Sequence, residues 1–419
     1  MELGKLHPNV QVRLLDVTLN SLSSSMYVPF MAIYFSERWG AVITGLLLVI
    51  TVLIGFIGGL YAGYLADSIG RKSILTIASF VKVVGALLFV LVNSPFWHST
   101  IVTFIAFLIV SVSGAIAEPI AEAMVMDVTT NDERPEVYNL MYWLTNLSVV
   151  LGSFIGGAFF QNHFFAILLV SMAISILSVL VILFLISDTY QKKNESRVNG
   201  WNLVKGVGTH YKKVSKDSTF MVFTFATLLF FTLEFQTTNY IGVRLSKQLP
   251  LQTVFSLGDL HLKVDGTSMV GWLNAENTII VAAMTLFIGK VIKPFNRLKV
   301  LSAGLVLYTA GFFFLGFNNS PILLLLAGFV ATLGEIIFWP MRQAYLAECI
   351  PKESRSSYMA VNSFVVRGAS VLAALFISAG AIAAPLVISC SYAVIGFLSM
   401  WLFYVAIQGL KARQSSETS

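Results

Sequence analysis

Runs of about twenty apolar residues, each long enough to carry a helix across a bilayer core of roughly 30 Å, follow one another along almost the whole chain. No soluble core hides that many. Only 11% of the 419 residues are charged and the mean hydropathy is +0.81, whereas soluble domains carry roughly a quarter charged residues. The runs place spans near 14–35, 42–66, 74–93, 101–127, 138–162, 164–187, 218–246, 269–292, 298–318, 321–348, 357–380 and 384–408. An outer-membrane barrel would instead show alternating segments of about ten residues. The expected fold is therefore all-α and integral to the membrane, with twelve transmembrane helices.

The polar start, MELGKLHPNVQVR, precedes a segment too long and too mixed (Asp16, Asn20, Ser23 to Ser25) for a cleavable signal, so it is expected to stay as the first span. Cys349 and Cys390 lack metal-ligand spacing and read as structural. With both termini on one side, most of the 27 basic residues share that side, Arg13 among them. The opposite loops hold Arg38, Arg244, Lys247 and Lys263, while Lys82, Arg342 and Arg367 fall inside spans. The positive-inside rule then puts both termini in the cytoplasm. It also explains the pI near 9.2 without any nucleic-acid partner.

The longest cytoplasmic connection, 188–217, divides the spans six and six. The expected organisation is an N-terminal lobe over 1–187, a linker over 188–217, a C-terminal lobe over 218–410 and a tail over 411–419. An offset of 221 residues aligns Pro119 with Pro340, Ala123 with Ala344, Asp127 with Glu348 and Arg134 with Arg355. An acid closing a span with Arg seven residues later, in both halves, is a parallel-repeat pattern of two-lobed transporters, and it suggests lobe-end charge pairs. The external loop 247–268, with residues alternating around Gly258-Asp259, suggests a small β-hairpin, an irregular loop being the alternative.

Acids inside spans are costly and normally face a cavity or a partner. Glu118, Glu122, Glu234, Glu276 and Glu335 qualify; Asp16 and Asp127 lie nearer helix ends. At 1.5 Å per residue, Glu122 lies about 7 Å and Glu118 about 13 Å from the cytoplasmic end of span four. Their i, i+4 spacing puts both on one face, and Pro119 between them removes a backbone donor. Two carboxylates so close in a low dielectric do not both ionise readily, which suits a proton-carrying site. The alternative is that Glu122 snorkels to the interface and Glu118 only bonds a neighbouring helix. Glu335 lies about 20 Å from the end of span ten, with Arg342 on roughly the same face, where the two could simply pair. Glu234 is a second C-terminal-lobe candidate, and Glu276 is read as close enough to the outer end of span eight to be solvated. Trp143, Tyr142, Trp339, Phe338 and Phe235 lie near these acids, with Asn146 a turn beyond Tyr142. The aromatics could stack on a lipophilic cation or simply pack. No metal cluster and no phosphate-binding loop is visible, so no cofactor and no enzymatic activity are expected.

Between spans two and three stands GYLADSIGRKS, residues 63–73. This Gly-x-Leu-x-Asp-x-x-Gly-Arg-Lys pattern, in that loop of such a chain, resembles the major facilitator superfamily. The resemblance implies two pseudo-symmetric six-helix lobes working by alternating access. In the family this loop latches the lobes, which gives Gly63, Asp67, Gly70, Arg71 and Lys72 a gating role; Ser68 stands where an Arg is usual. Spans two to five, with ITGLLLVITVLIGFIGGLYAGYLAD, AMVMD and NLSVVLG, together with TLGEIIFWP, look like the drug/proton antiporter branch, and especially the lactococcal-type multidrug exporters of Gram-positive bacteria. Ser153, Val110 and Met141 occupy places where that branch often has Pro, a relay Arg and an Asp. By resemblance Glu335 serves substrate or proton binding, and Glu118 inherits the coupling role left open in the N-terminal lobe, with Glu122 and Glu234 in support.

These readings predict a monomeric, multi-pass, proton-coupled exporter of lipophilic, often cationic, drugs in a bacterial plasma membrane, its partners being those substrates, protons and lipids. Glu335, Glu118, Trp143, Tyr142, Phe338, Trp339, Arg342 and Asn146 are expected to line the substrate cavity. The alternatives are a dedicated carrier of one physiological solute, such as an anion held by Arg342 and Arg367, and a membrane-embedded binding or lipid-translocating protein.

Overall fold

The computed structural model of the chain describes residues 6–130, 133–188, 214–257, 260–351 and 355–418. Within them lie eleven helices and one two-stranded sheet. Seven of the helices are long and apolar enough to cross a membrane. In order, α1 covers Pro8–Ile69, α2 Arg71–Val92, α3 Thr100–Val128 and α4 Arg134–Leu185. They are followed by α5 (Ser218–Glu234), α6 (Tyr240–Gln248), β1 (Gln252–Leu257), β2 (Leu260–Val264) and α7 (Gly266–Ile292). The chain ends with α8 (Arg297–Phe317), α9 (Pro321–Cys349), α10 (Arg355–Ala379) and α11 (Pro385–Thr418). Most of the connection expected at 188–217, namely 189–213, and the hairpin tip Gly258-Asp259 lie outside the described residues, as do the surroundings of Gly63 and the side chains of Asp67, Arg134 and Arg355.

At 62 residues, a straight α1 would be roughly 90 Å long, three times a bilayer core. It is instead two helices divided at Gly40, whose φ of 78° is a conformation that side chains with a Cβ rarely adopt. His163 (φ −132°, ψ 33°) divides the 52-residue α4 in the same way. Each of these elements therefore holds two of the expected spans. The expected span 218–246 differs in the other direction: α5 stops at Glu234 and α6 starts at Tyr240. The cause is FQTTN, residues 235–239, whose side chains bond their own backbone and compete with the helix. Gln236 Nε2 donates to the Thr232 carbonyl (3.0 Å) and Asn239 Nδ2 to that of Phe235 (2.7 Å).

The hairpin expected in 247–268 forms, β1 pairing antiparallel with β2 and an irregularity falling between Thr253 and Phe255. The chain divides into two compact units, one of Met1–Lys192 with Gly242–Ile279 and the other of Lys193–Ile241 with Ile280–Ser419. The hairpin and the first half of α7, which the sequence reading assigns to the C-terminal lobe, therefore group with α1 to α4. The reason is a close approach of α7 to α4. A Cβ on Gly271 would lie 2.5 Å from the Ser153 carbonyl oxygen and 2.9 Å from the Gly157 Cα, so a side chain there would push the two helices apart. Phe154 packs edge-on against Trp272 at 5.7 Å, and Gln161 Nε2 donates to Thr267 Oγ1 at 2.6 Å.

Lipid tails are as apolar as leucine, so helices within a bilayer associate through close packing and interhelical hydrogen bonds rather than burial from water. In the first unit Ser23 and Ser171 hydrogen-bond at 2.7 Å, joining α1 to α4. In the second unit aromatic rings fill the centre. Phe230 of α5 stacks on Tyr308 of α8 at 4.2 Å and on Phe338 of α9 at 4.1 Å. Phe338 also meets the edge of Phe403 from α11 at 5.4 Å.

Candidate functional site

In the first unit, α1 begins at Pro8, so Arg13 already belongs to the helix. Its side chain is 6% exposed. Its Nη1 donates to Asp16 Oδ2 at 3.0 Å and its Nη2 to Glu118 Oε1 at 2.5 Å. Reading Arg13 as one more cytoplasmic loop charge is thus corrected: it is the counter-ion of two acids. Asp16 is held further by Ser178 Oγ of α4, which donates to it at 2.5 Å, and by Asn20 Nδ2 of α1 at 2.6 Å. Lys82 of α2 donates in turn to Asn20 Oδ1. Glu118 itself stays 63% exposed. Glu122 is exposed too and hydrogen-bonds Tyr138, so the two acids share a face of α3 but have separate partners. Tyr142 and Trp143 are 59% and 56% exposed. Asn146 donates to the Tyr142 carbonyl of its own helix at 2.8 Å.

In the second unit, the break after α5 places Glu234 at a helix C-terminus, where backbone carbonyls collect partial negative charge. Glu234 lies within the electrostatic reach of Glu335 on α9 and of Arg342 one to two turns further along. Arg342 is 3% exposed. Its Nη2 donates to Asn362 Oδ1 at 3.0 Å, while its Nε is buried without a hydrogen-bond partner among the described residues. Its guanidinium sits 5.2 Å from the Trp339 ring centre and 5.7 Å from that of Phe231.

Phe338, expected in the substrate cavity, is fully buried and belongs to the aromatic core; Trp339, at 39% exposure, is the neighbour left accessible. Tyr308 had no sequence signal. Its hydroxyl is buried without a hydrogen-bond partner among the described residues, within electrostatic reach of both Glu234 and Glu335. Glu276, read as solvated, has a buried Oε2 that finds no hydrogen-bond partner among the described residues.

The loop after α1 turns at Gly70, with φ 108°. Arg71, the first residue of α2, pairs with Asp127 near the end of α3 and donates to the Ala123 carbonyl at 3.3 Å, and Lys72 Nζ donates to the Leu183 carbonyl at 3.1 Å. In the second unit Arg297, the first residue of α8, pairs with Glu348 near the end of α9 at 2.7 Å. Asp127 and Glu348 thus each pair with an arginine at the preceding helix's start, while the side chains of Arg134 and Arg355, the partners expected from sequence, lie outside the described residues. Outside the spans, backbone and hydroxyl donors of Thr130 hold Glu133 below the usual carboxylate range. Asp217 behaves likewise: burial would raise its carboxyl, but Arg413, the Phe220 N–H and Tyr358 outweigh burial and lower it.

The chain matches the family model described as "Major Facilitator Superfamily" over residues 17–261 and 259–419. It is 28% identical over 416 residues to a Na(+), Li(+), K(+)/H(+) antiporter of Planococcus maritimus, covering 97% of this chain and 98% of that one. With the multidrug resistance protein MdtH of Proteus mirabilis it shares 23% identity over 352 residues, 83% of this chain and 80% of the relative. Among solved structures, the nucleoside transporter NupG superposes with a TM-score of 0.72 at 14% identity, over 96% of this chain and all of that one (100%). The POT family transporter PepTSo reaches 0.73 at 10% identity, over 96% and 98%. Those structures share the fold.

Proposed function

The chain belongs to the major facilitator superfamily, a family of membrane transporters and not of enzymes, and from that premise we propose that it is a proton-coupled antiporter that exports monovalent cations. The observation that carries this reading is the end of α5. Glu234 ends a broken helix, within electrostatic reach of the Glu335 carboxylate on α9. Broken helix ends of this kind suit the binding of small cations and protons in transporters. Arg342, fixed by Asn362, balances one of the two carboxylates. The remaining negative charge takes either a proton or a metal cation but not both at once, and that exclusion is the basis of exchange. The full-length similarity to a Na(+), Li(+), K(+)/H(+) antiporter supports sodium, lithium and potassium as the cargo.

In this reading Glu335 and Glu234 load the cargo and the proton, Glu118 with Glu122 couples the first unit to protons, and the loop carrying Gly63, Asp67, Gly70, Arg71 and Lys72 biases closure. The protein works as a monomer in a bacterial plasma membrane with both termini in the cytoplasm. A second reading keeps the mechanism and makes the cargo a lipophilic organic cation. The exposed rings of Trp339, Trp143 and Tyr142 and the likeness to MdtH favour it.

Everted membrane vesicles, acidified inside by respiration and reporting through a pH-sensitive dye, separate the two. Sodium, lithium or potassium chloride is expected to release protons from vesicles carrying the wild-type protein and not from those carrying Glu335→Gln. No response to any of the three salts, together with proton-driven ethidium movement, would leave only the organic cation.

A further inference from the structure

Within the first unit, two cations and two carboxylates form one connected cluster drawn from four helices. Arg13 and Asp16 come from α1, Lys82 from α2 and Glu118 from α3, while α4 contributes Ser178 and, beside Glu122, Tyr138. The two carboxylates on Arg13 differ sharply. Asp16 is 10% exposed and accepts from three side chains, whereas Glu118 is 63% exposed and has Arg13 as its ion-pair partner. Arg13 thus spans one fixed acid and one accessible acid, each through a different terminal nitrogen. Glu118 is the more accessible of the two acids.

We propose that Arg13 is an internal stand-in for a transported cation: it neutralises Glu118 while that carboxyl is ionised and withdraws onto Asp16 when Glu118 takes a proton. The step balances simply. A proton from solvent adds to a Glu118 oxygen, the Arg13 to Glu118 ion pair is lost, and Arg13 keeps its own protons and its bond to Asp16. Asp16 supplies the resting place, and Lys82, through Asn20, keeps that place from carrying a second uncompensated charge. Glu122, the other acid facing Glu118, has Tyr138 as its hydrogen-bond partner. The proposal deepens the coupling role given to Glu118 above and rests on it.

The test follows the protonated carboxyl of Glu118 by infrared difference spectroscopy, subtracting Glu118→Gln from each variant, in purified protein reconstituted in lipid. Arg13→Gln removes the competing cation, so the pH at which the band is half lost should rise by about one unit or more, the usual effect of an opposite charge at contact. Asp16→Asn removes the resting place and leaves Arg13 on Glu118, so the midpoint should fall. Fixed charges alone would give the same two signs, so the swap itself is read from the guanidinium bands of Arg13, assigned by their loss in Arg13→Lys. They should change with the same midpoint as the Glu118 carboxyl in wild type and stay constant with pH in Glu118→Gln, and guanidinium bands indifferent to pH in wild type overturn it. Arg13→Lys, which keeps the charge, should restore the wild-type midpoint, and it serves if Arg13→Gln does not fold. Equal midpoints, or shifts of the same sign, overturn the charge swap. The coupling role fails separately, if vesicles carrying Glu118→Gln exchange protons for sodium as fast as wild type.

Discussion

The two units treat their intramembrane acids in opposite ways. In the first, Asp16 and Glu118 share one buried guanidinium and Lys82 stands behind them through Asn20, so opposite charges are matched. In the second, Glu234 and Glu335 face one guanidinium that donates to an amide, Asn362, amid aromatic rings. Matching favours a stable resting state; under the proposed function the second cluster is the one that takes an incoming cation.

That contrast breaks first at Arg13. Removing one partner of a buried ion pair leaves the other charge uncompensated, at about 3–5 kcal/mol, and Asp16 is buried with Arg13. Arg13→Ala should therefore lower the thermal unfolding temperature in detergent strongly, and Arg13→Ala with Asp16→Asn should recover much of the loss. If the double variant were no more stable than the single one, the matched cluster would not be what stabilises the first unit.

Next comes Glu335→Gln in the second unit. Loss of a group that passes a proton commonly costs on the order of 100-fold in rate, and a similar loss of sodium-driven proton release is expected. Stability should change little, because Glu335 is half-buried and an amide fills the same volume. A Glu335→Gln protein that unfolded readily yet still exchanged would reverse the comparison and give the second unit the structural acid.

Much of this is legible in the sequence. Apolar runs mark the membrane helices, because a bilayer leaves few other solutions for the backbone. The repeat at Asp127 and Glu348 reappears as ion pairs, although the arginines that close them, Arg71 and Arg297, begin the preceding helices. Arg13 escapes notice because a basic residue near an N-terminus reads as a loop charge; its i, i+3 spacing to Asp16 is the available signal. Tyr308 is invisible, since one tyrosine among 14 carries no spacing that marks its distant neighbours. The break after Glu234 does not show because hydropathy averages over FQTTN, while the competing hydrogen bonds are local to each side chain.

A smaller effect is expected where α7 crosses α4 in the first unit. Gly271→Leu would force a side chain into the Ser153 carbonyl and Gly157, and overpacking of this kind costs about 1–3 kcal/mol. Thermal unfolding should show the loss, and Gly271→Ala should show less of it. Equal stabilities would mean that the two helices part freely at this crossing.

The smallest effect concerns the other end of the helix that bears Glu234. Asp217 caps α5, accepting from the Phe220 N–H at 3.1 Å, and is clamped by Arg413 at 2.8 Å and Tyr358 at 2.9 Å. Replacing a capping Asp by Ala typically costs about 1 kcal/mol, so Asp217→Ala should lower stability modestly at neutral pH. Its carboxyl is held below its ordinary value of 3.8, so the folded state favours the charged form. That contribution is complete at pH well above 3.8 and is lost only as pH falls through the lowered folded-state value. The difference between wild type and Asp217→Ala should accordingly stay constant from about pH 8 to 5 and shrink only in stronger acid. Exchange over that neutral range should not follow Asp217, because the protons that drive it are carried at the far end of α5. A pH profile of transport that moved with Asp217→Ala would instead tie the cap to the acid it anchors, and the second unit would then have a built-in counter-charge system like the first.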